Sequence, residues 1–307
     1  MQTTIRSAVT FSGTGLHSGL RARMTVLPAS AEYGIWFRRT DVIGRDPMVQ
    51  AHWSAVENAK LCTEVSNAQG VKVSTIEHLM AALSGCGIHN ALIEIDGPEV
   101  PILDGSSAPF AAAFLARGVR DLAAPLRCFE ILKPVEVREG PALARLEPAE
   151  TLEIDFEIDF ADAAIGHQRK RLSMANGAFL RELSDCRTFC RQADVEAMLA
   201  QGLALGGNPG ENAVVFDGDR VLSPGGLRRA DEPVRHKMLD ALGDLALAGA
   251  PILGRYTGNR AGHAMTNRLL RALFADPTAY RLIECDAARR RLLPGTGVNR
   301  DDIPAVA

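Results

Sequence analysis

Val234-Arg-His-Lys-Met-Leu-Asp-Ala-Leu-Gly-Asp244 places an imidazole, His236, four residues before a carboxylate, Asp240, and a further carboxylate, Asp244, one turn beyond. Side chains four apart share one face of a helix. A helix predicted over Val234–Ala248 therefore carries two rigidly related groups able to grip one metal ion. The same spacing also suits a simple i,i+4 pair, worth under about 0.5 kcal/mol. Far upstream, Glu77 and His78 supply a second imidazole with a carboxylate beside it. Two His and one Asp make three protein ligands, the number a catalytic zinc centre uses while its fourth position stays open. The same donors suit Fe²⁺. Neighbouring helix residues diverge by about 100°, so Glu77 can flank a bound ion without ligating it and take a proton from water. Its other reading is a capping box closed with Ser74. His263, on a predicted loop behind Gly262, completes the set. A hydrogen bond to Asp244 would keep that imidazole protonated, fit to stabilise an oxyanion or protonate a departing amine.

Working outward, the first half opens with strands at Ala22–Leu27 and Gly34–Arg38, joined through Pro28 and Ala29. A helix follows over Ser74–Ser84, capped by Ser74 and stopped by Gly85, then a strand at Ala91–Ile95 and a helix over Ala108–Ala116 closed by Gly118. Beyond residue 120 the pattern restarts, with strands at Cys128–Val137 and Leu152–Phe160, partial helix from Leu183 through Gln201, and a hairpin spanning Asn212–Leu222. Leu269–Phe274 lies in a last helix. Pro148-Ala149 echoes Pro28-Ala29, and the helix around His236 echoes the one around His78. Both echoes point to a duplicated α+β unit with the metal at the join. The expected division is 1–124, carrying Glu77 and His78, then 125–285, carrying His236, Asp240 and His263, then a frayed Arg-, Pro- and Gly-rich tail, 286–307.

Composition narrows the class. The chain has 307 residues, 47% hydrophobic and 23% charged, with formal net charge -3, the profile of a globular enzyme and no reason to expect a nucleic-acid partner. Basic clusters at Arg21–Arg23, Arg38–Arg39, Arg169–Arg171 and Arg289–Arg291 lack interleaved aromatics and read as solvated faces. No apolar run is long enough for a membrane span and the N-terminus has no signal-peptide pattern, so no stable membrane insertion is expected. Six scattered cysteines with no C-x-x-C pair fit reduced thiols and a cytoplasmic location. The Gly-rich stretches around His17 and at Gly206–Gly210 lack the Lys-Ser/Thr of a phosphate loop, and His52, His89 and His167 have no partner pattern.

Five ordered segments then coincide. They are Ser74-Thr-Ile-Glu-His-Leu-Met-Ala-Ala-Leu83, Ile102-Leu-Asp-Gly-Ser-Ser-Ala-Pro-Phe110, Arg187-Thr-Phe189, the stretch Val234–Asp244, and Gly262-His-Ala264. With them, the chain from about Thr4 to about Phe274 resembles the zinc-dependent UDP-3-O-acyl-N-acetylglucosamine deacetylases of lipid A biosynthesis in Gram-negative bacteria. The resemblance implies an α+β fold of two similar domains. Each is a β-sheet packed on a pair of helices, with the helix layers facing each other and a small insert in each domain. It implies zinc on His78, His236 and Asp240, Glu77 as general base, and His263, oriented by Asp244, as acid or oxyanion partner. Thr188 would help hold the tetrahedral oxygen. Phe189, Lys237 and Phe160 would contact substrate, and Cys62 would lie near the metal. The implied partner is a UDP-linked acylated amino sugar, its acyl chain sheltered by residues near 183–216, with no protein partner required. Two departures stand out: Cys190 and Arg191 replace a Gly and a Phe, and a basic residue expected near 142 is absent, Arg145 being its nearest substitute.

Overall fold

A computed structural model describes residues 1–58 and 61–304. Its architecture is α+β, with two principal sheets, each carrying helices on one face. The helices are α1 (Glu77–Gly85), α2 (Ala108–Arg117), α3 (Gln192–Ala200), α4 (Glu232–Ala246), α5 (His263–Ala275) and a short α6 (Ala287–Arg290).

The first sheet runs Val9–Thr14, Arg21–Pro28, Ala91–Ile95, Ile35–Arg39, Met48–Gln50, with Ala91–Ile95 antiparallel to Arg21–Pro28 and parallel to Ile35–Arg39. The second repeats this plan. Val135–Glu139 pairs with Ala142–Glu147, which is antiparallel to Ile252–Asn259, and Leu152–Asp159 runs parallel to that same central strand. In both sheets a helix precedes the central strand (α1, α4) and another follows it (α2, α5). Pro28 ends one strand and Pro148 directly follows the corresponding one, so the faint sequence echo accompanies a topological repeat. We propose that the division between the halves falls near residue 124, between the edge strand Val119–Asp121 and the strand Arg127–Ile131.

Each half carries a small insert: a three-stranded sheet of Val56–Asn58, Glu64–Ser66 and Lys72–Val73 in the first, and one of Phe189–Arg191, Val214–Asp217 and Arg220–Val221 with α3 in the second. The alternation along Arg21–Pro28 sends Ala22, Met24 and Val26 inward, where Phe11 meets Phe110 and Phe114 of α2 edge-on at 5.0 and 6.0 Å. In the second half Leu269, Leu270 and Leu273 of α5 are fully buried. The helix layers meet at α1 and α4, and a Cβ on Gly243 would stand 2.1 Å from the Glu77 carbonyl oxygen.

Four expectations change. Ser74 does not cap α1: its hydroxyl donates to the Pro98 carbonyl, the helix starts at Glu77, and no side chain caps it. Cys128–Val137 is two strands, Arg127–Ile131 and Val135–Glu139, because Pro134, unable to donate a ladder bond, breaks it. His263 is the first residue of α5 instead of a loop residue. The tail is not frayed through residue 304: Leu293 is buried, Gly295 abuts the Gly87 backbone, and Arg181 pairs with Asp302. These contacts fix a segment whose composition alone suggests disorder.

Gly243→Ala should lower the melting temperature even though alanine is the better helix former by about 1 kcal/mol. Its methyl would meet backbone that cannot rotate away. An unchanged or raised melting temperature would refute the close helix approach.

Candidate active site

His78 on α1 and His236 and Asp240 on α4 converge, all buried. Asp240 Oδ1 lies 3.5 Å from His78 Nε2 and 3.3 Å from His236 Nε2. Two ligands each 2.0–2.1 Å from a tetrahedral ion lie about 3.3 Å apart, so the separations suit a divalent cation. The hydrogen bonding agrees. His236 Nδ1 donates to the Cys186 carbonyl at 3.0 Å, leaving the Nε2 lone pair free, and burial lowers this imidazole to about 4, so it stays neutral. Asp240 Oδ1 is buried with no protein partner, whereas Oδ2 accepts from Lys237 Nζ at 2.7 Å. Burial opposes ionisation of Asp240, but its neighbours, the His236 imidazole and the Lys237 ammonium foremost, hold it well below the usual carboxylate range. A buried anionic oxygen with no donor is costly unless a cation meets it. The residues present fit one.

Glu77 occupies the first turn of α1, where its Oε2 accepts from the Thr63 backbone N–H at 3.0 Å. Its Oε1 lies 3.9 Å from His263 Nε2. Burial raises the Glu77 carboxyl, against the pull of the nearby His263 and His78. His263 Nδ1 donates to Asp244 Oδ2 at 2.8 Å, as the sequence leads one to expect. Burial alone would depress His263, but Asp244, Glu77 and Asp240 outweigh it and push the imidazole up to about 9. A carboxyl group and an imidazolium therefore face each other beside the three residues that could hold a metal ion.

These groups open into a cavity of about 840 Å³ whose wall includes Cys62, Phe160, Thr188, Phe189 and Lys237. Thr188 is fixed at both ends of its peptide, its N–H donating to the Gly105 carbonyl and its carbonyl accepting from Val214 N–H, each at 2.8 Å. The Phe189 ring stands 6.2 Å from His236 and 5.7 Å from Phe160, edge to face. Cys62 is half-buried, its thiol pushed up to about 12 by burial and by Glu77.

Residues 2–275 match the UDP-3-O-acyl N-acetylglycosamine deacetylase family. A protein named UDP-3-O-acyl-N-acetylglucosamine deacetylase from Phenylobacterium zucineum is 53% identical over 281 residues, covering 92% of this chain and 96% of its own length. One of the same name from Shewanella baltica is 42% identical over 303 residues, covering 97% and 98%. The chain belongs to this deacetylase family.

Against that family's pattern, the two departures have a local account. Cys190 lines the cavity with the apolar Val195, Met198, Ala213 and Val215, with Asp194 also close to its thiol. Arg191 turns to Asp162, 3.0 Å away. Arg145 pairs with Glu147 on its own strand and is not among the residues lining the cavity.

Sequence reasoning passed over two residues. His17 lines the cavity with both ring nitrogens buried and without protein partners, although its Gly-rich surroundings look like an ordinary loop. Thr63 ties the site together: besides its N–H on Glu77, its hydroxyl donates to Asp244 Oδ1 at 2.6 Å. No spacing rule links positions 63, 77 and 244.

Thr63→Val keeps the backbone bond but leaves a buried carboxylate oxygen short of a donor. It should destabilise the protein by about 1–3 kcal/mol in urea unfolding, while Thr63→Ser should restore most of the loss. Equal stability of Val and Ser variants would show that the hydroxyl contributes nothing.

Proposed function

We propose that the protein hydrolyses the N-acetyl group of UDP-3-O-acyl-N-acetylglucosamine, giving the free amine and acetate, a committed step of lipid A biosynthesis, and that it does so in the cytoplasm with zinc on His78, His236 and Asp240. One observation carries this reading: two imidazole nitrogens and a partnerless carboxylate oxygen converge beside Glu77 and His263. A divalent ion held by those three ligands would supply Lewis acidity, polarising the amide carbonyl and making water more acidic.

The chain's own groups then divide the proton work. Glu77 Oε2 is held by Thr63, so the carboxylate is oriented with Oε1 toward His263, and it accepts the proton of the attacking water. His263, tied through Nδ1 to Asp244, presents Nε2–H to the oxyanion, joined by the Thr188 hydroxyl. The leaving amine takes a proton from His263 or from the newly protonated Glu77. Lys237 neutralises Asp240 through Oδ2, leaving Oδ1 to face His78 and His236. The apolar arm along Cys190, Val195, Met198 and Val215 accommodates the acyl chain, and Phe160 and Phe189 offer faces to the nucleotide-sugar end. No helix is long and apolar enough to cross a membrane among the described residues, and no protein partner is needed for the reaction.

Purified protein should release acetate from the UDP-linked, 3-O-acylated substrate and far less from a hexosamine lacking the acyl chain. Comparable turnover of the two would point to a different amino-sugar deacetylase. Glu77→Gln should cut kcat by about 10²–10⁴ with bound metal unchanged, whereas His236→Ala should lose metal first, as elemental analysis will show.

The pH profile should be bell-shaped. Glu77 must be ionised, and its raised carboxyl sets the acid limb above the ordinary Glu range. His263 must be protonated, a state present below and lost above about 9. His263→Ala should remove the alkaline limb along with most of the activity. A profile that keeps that limb in the variant would reassign it.

A further inference from the structure

Cys128 and Cys285 form a contact that the deacetylase site does not use. Cys128 is on the strand Arg127–Ile131 opposite Ile283 of the antiparallel strand Tyr280–Glu284, and the Cys285 N–H donates to the Leu126 carbonyl at 2.8 Å. Residues two apart in a strand project to the same face, and this register brings the two sulfurs within 2.9 Å across 157 residues of sequence. Cys128 is fully buried and packs with Leu126, Leu253 and Leu293, while Cys285 is half-buried. Cys285 also lies beyond residue 275, where the family match ends.

We infer that Cys128 and Cys285 are a dithiol site oxidised by hydroperoxides, Cys285 being the attacking thiol and Cys128 the resolving one. Exposure assigns the roles, because only Cys285 can meet an oxidant from solvent. The surroundings agree: Cys285 is held below the usual thiol range by its hydrogen bonding with the Cys128 thiol and by Arg289, against burial and Asp286. The thiols in the active-site cavity are pushed the other way by burial, Cys62 to about 12 and Cys190 to about 11. A thiolate is the nucleophile in such chemistry, so Cys285 is selected over them.

The chemistry balances. The Cys285 thiolate attacks one oxygen of hydrogen peroxide, the O–O bond breaks, and hydroxide leaves to become water, making a sulfenic acid. The Cys128 thiol attacks that sulfur, the S–S bond forms, the S–O bond breaks, and the hydroxyl departs as water with the Cys128 proton. The two thiols lose two electrons and the peroxide gains them.

The bond would anchor the start of the segment 286–304. That segment packs on both halves: Arg290 pairs with Asp121, Gly295 abuts Gly87 just past α1, and Asp302 pairs with Arg181. Oxidation therefore pins the strap that braces the end of the helix carrying Glu77 and His78.

The test is to treat the reduced full-length protein with hydrogen peroxide, block remaining thiols with N-ethylmaleimide, and map peptides. The expected result is a Cys128–Cys285 cross-link with two of the six thiols lost, reversed by dithiothreitol, and slower amide exchange over 286–304. Cys128→Ser should instead accumulate a Cys285 sulfenic acid trapped by dimedone. A first cross-link or oxidation at Cys62 or Cys190, or a Cys285 driven to higher oxides while Cys128 stays free in the unaltered protein, would overturn the inference.

Discussion

Two helices touch backbone to backbone, and everything else in the site follows from that approach. With no side chain at position 243, α4 comes close enough for its neighbours to face Glu77 and Ala81 directly. Each half contributes a helix, and neither holds a complete set: His78 and Glu77 come from α1, His236 and Asp240 from α4. A larger residue at 243 would act like a spacer and move both sets of ligands at once. A second close fit supports the same geometry, since Gly85 at the far end of α1 leaves room for the Phe179 ring. Stability and chemistry thus share one constraint, the distance between two helix axes.

That closeness crowds charge into a dry region. Glu77, Asp240 and Asp244 are all buried, and so are His78, His236 and His263. Left to desolvation, the carboxylates would protonate and the imidazoles lose their protons. The arrangement instead sorts them by partner. His236 stays neutral because burial outweighs the pull of Asp240 and of the Cys186 carbonyl on its Nδ1, His263 becomes cationic because its Nδ1 meets a carboxylate, and Lys237 offsets Asp240. In the proposed reaction one residue type serves as ligand on one side of the site and as acid on the other, and the acid is the one whose second ring nitrogen touches a carboxylate.

The local signals in the sequence were those with a period or a fixed offset. Ala91–Ile95 alternates, the α4 stripe repeats every four residues, and Asp244 could be matched to His263 because carboxylate–imidazole pairing is common chemistry. The features that escaped are contacts between distant segments. Ser74 followed by Glu77 satisfies the capping-box pattern, yet Glu77 is drawn away by the Thr63 N–H. Thr63 itself sits between Cys62 and Glu64 with nothing to distinguish it, because its partner Asp244 is 181 residues away. The tail reads as loose for the same reason: its order comes from Gly87, Asp121 and Arg181, none of them local.

The repeat explains why such long-range convergence is attainable at all. Each half places a helix before its central strand, so two copies facing each other bring equivalent helices into contact without any special connection. Identical halves would supply equivalent side chains, which cannot by themselves separate a base from an acid. The asymmetry was added by the loops and by single positions: Thr63 enters from the first insert, Thr188 from the approach to the second, and His263 from the start of α5, whose counterpart α2 opens with Ala108. The duplicated framework fixes where groups can meet, and unduplicated residues decide which of them carries the proton.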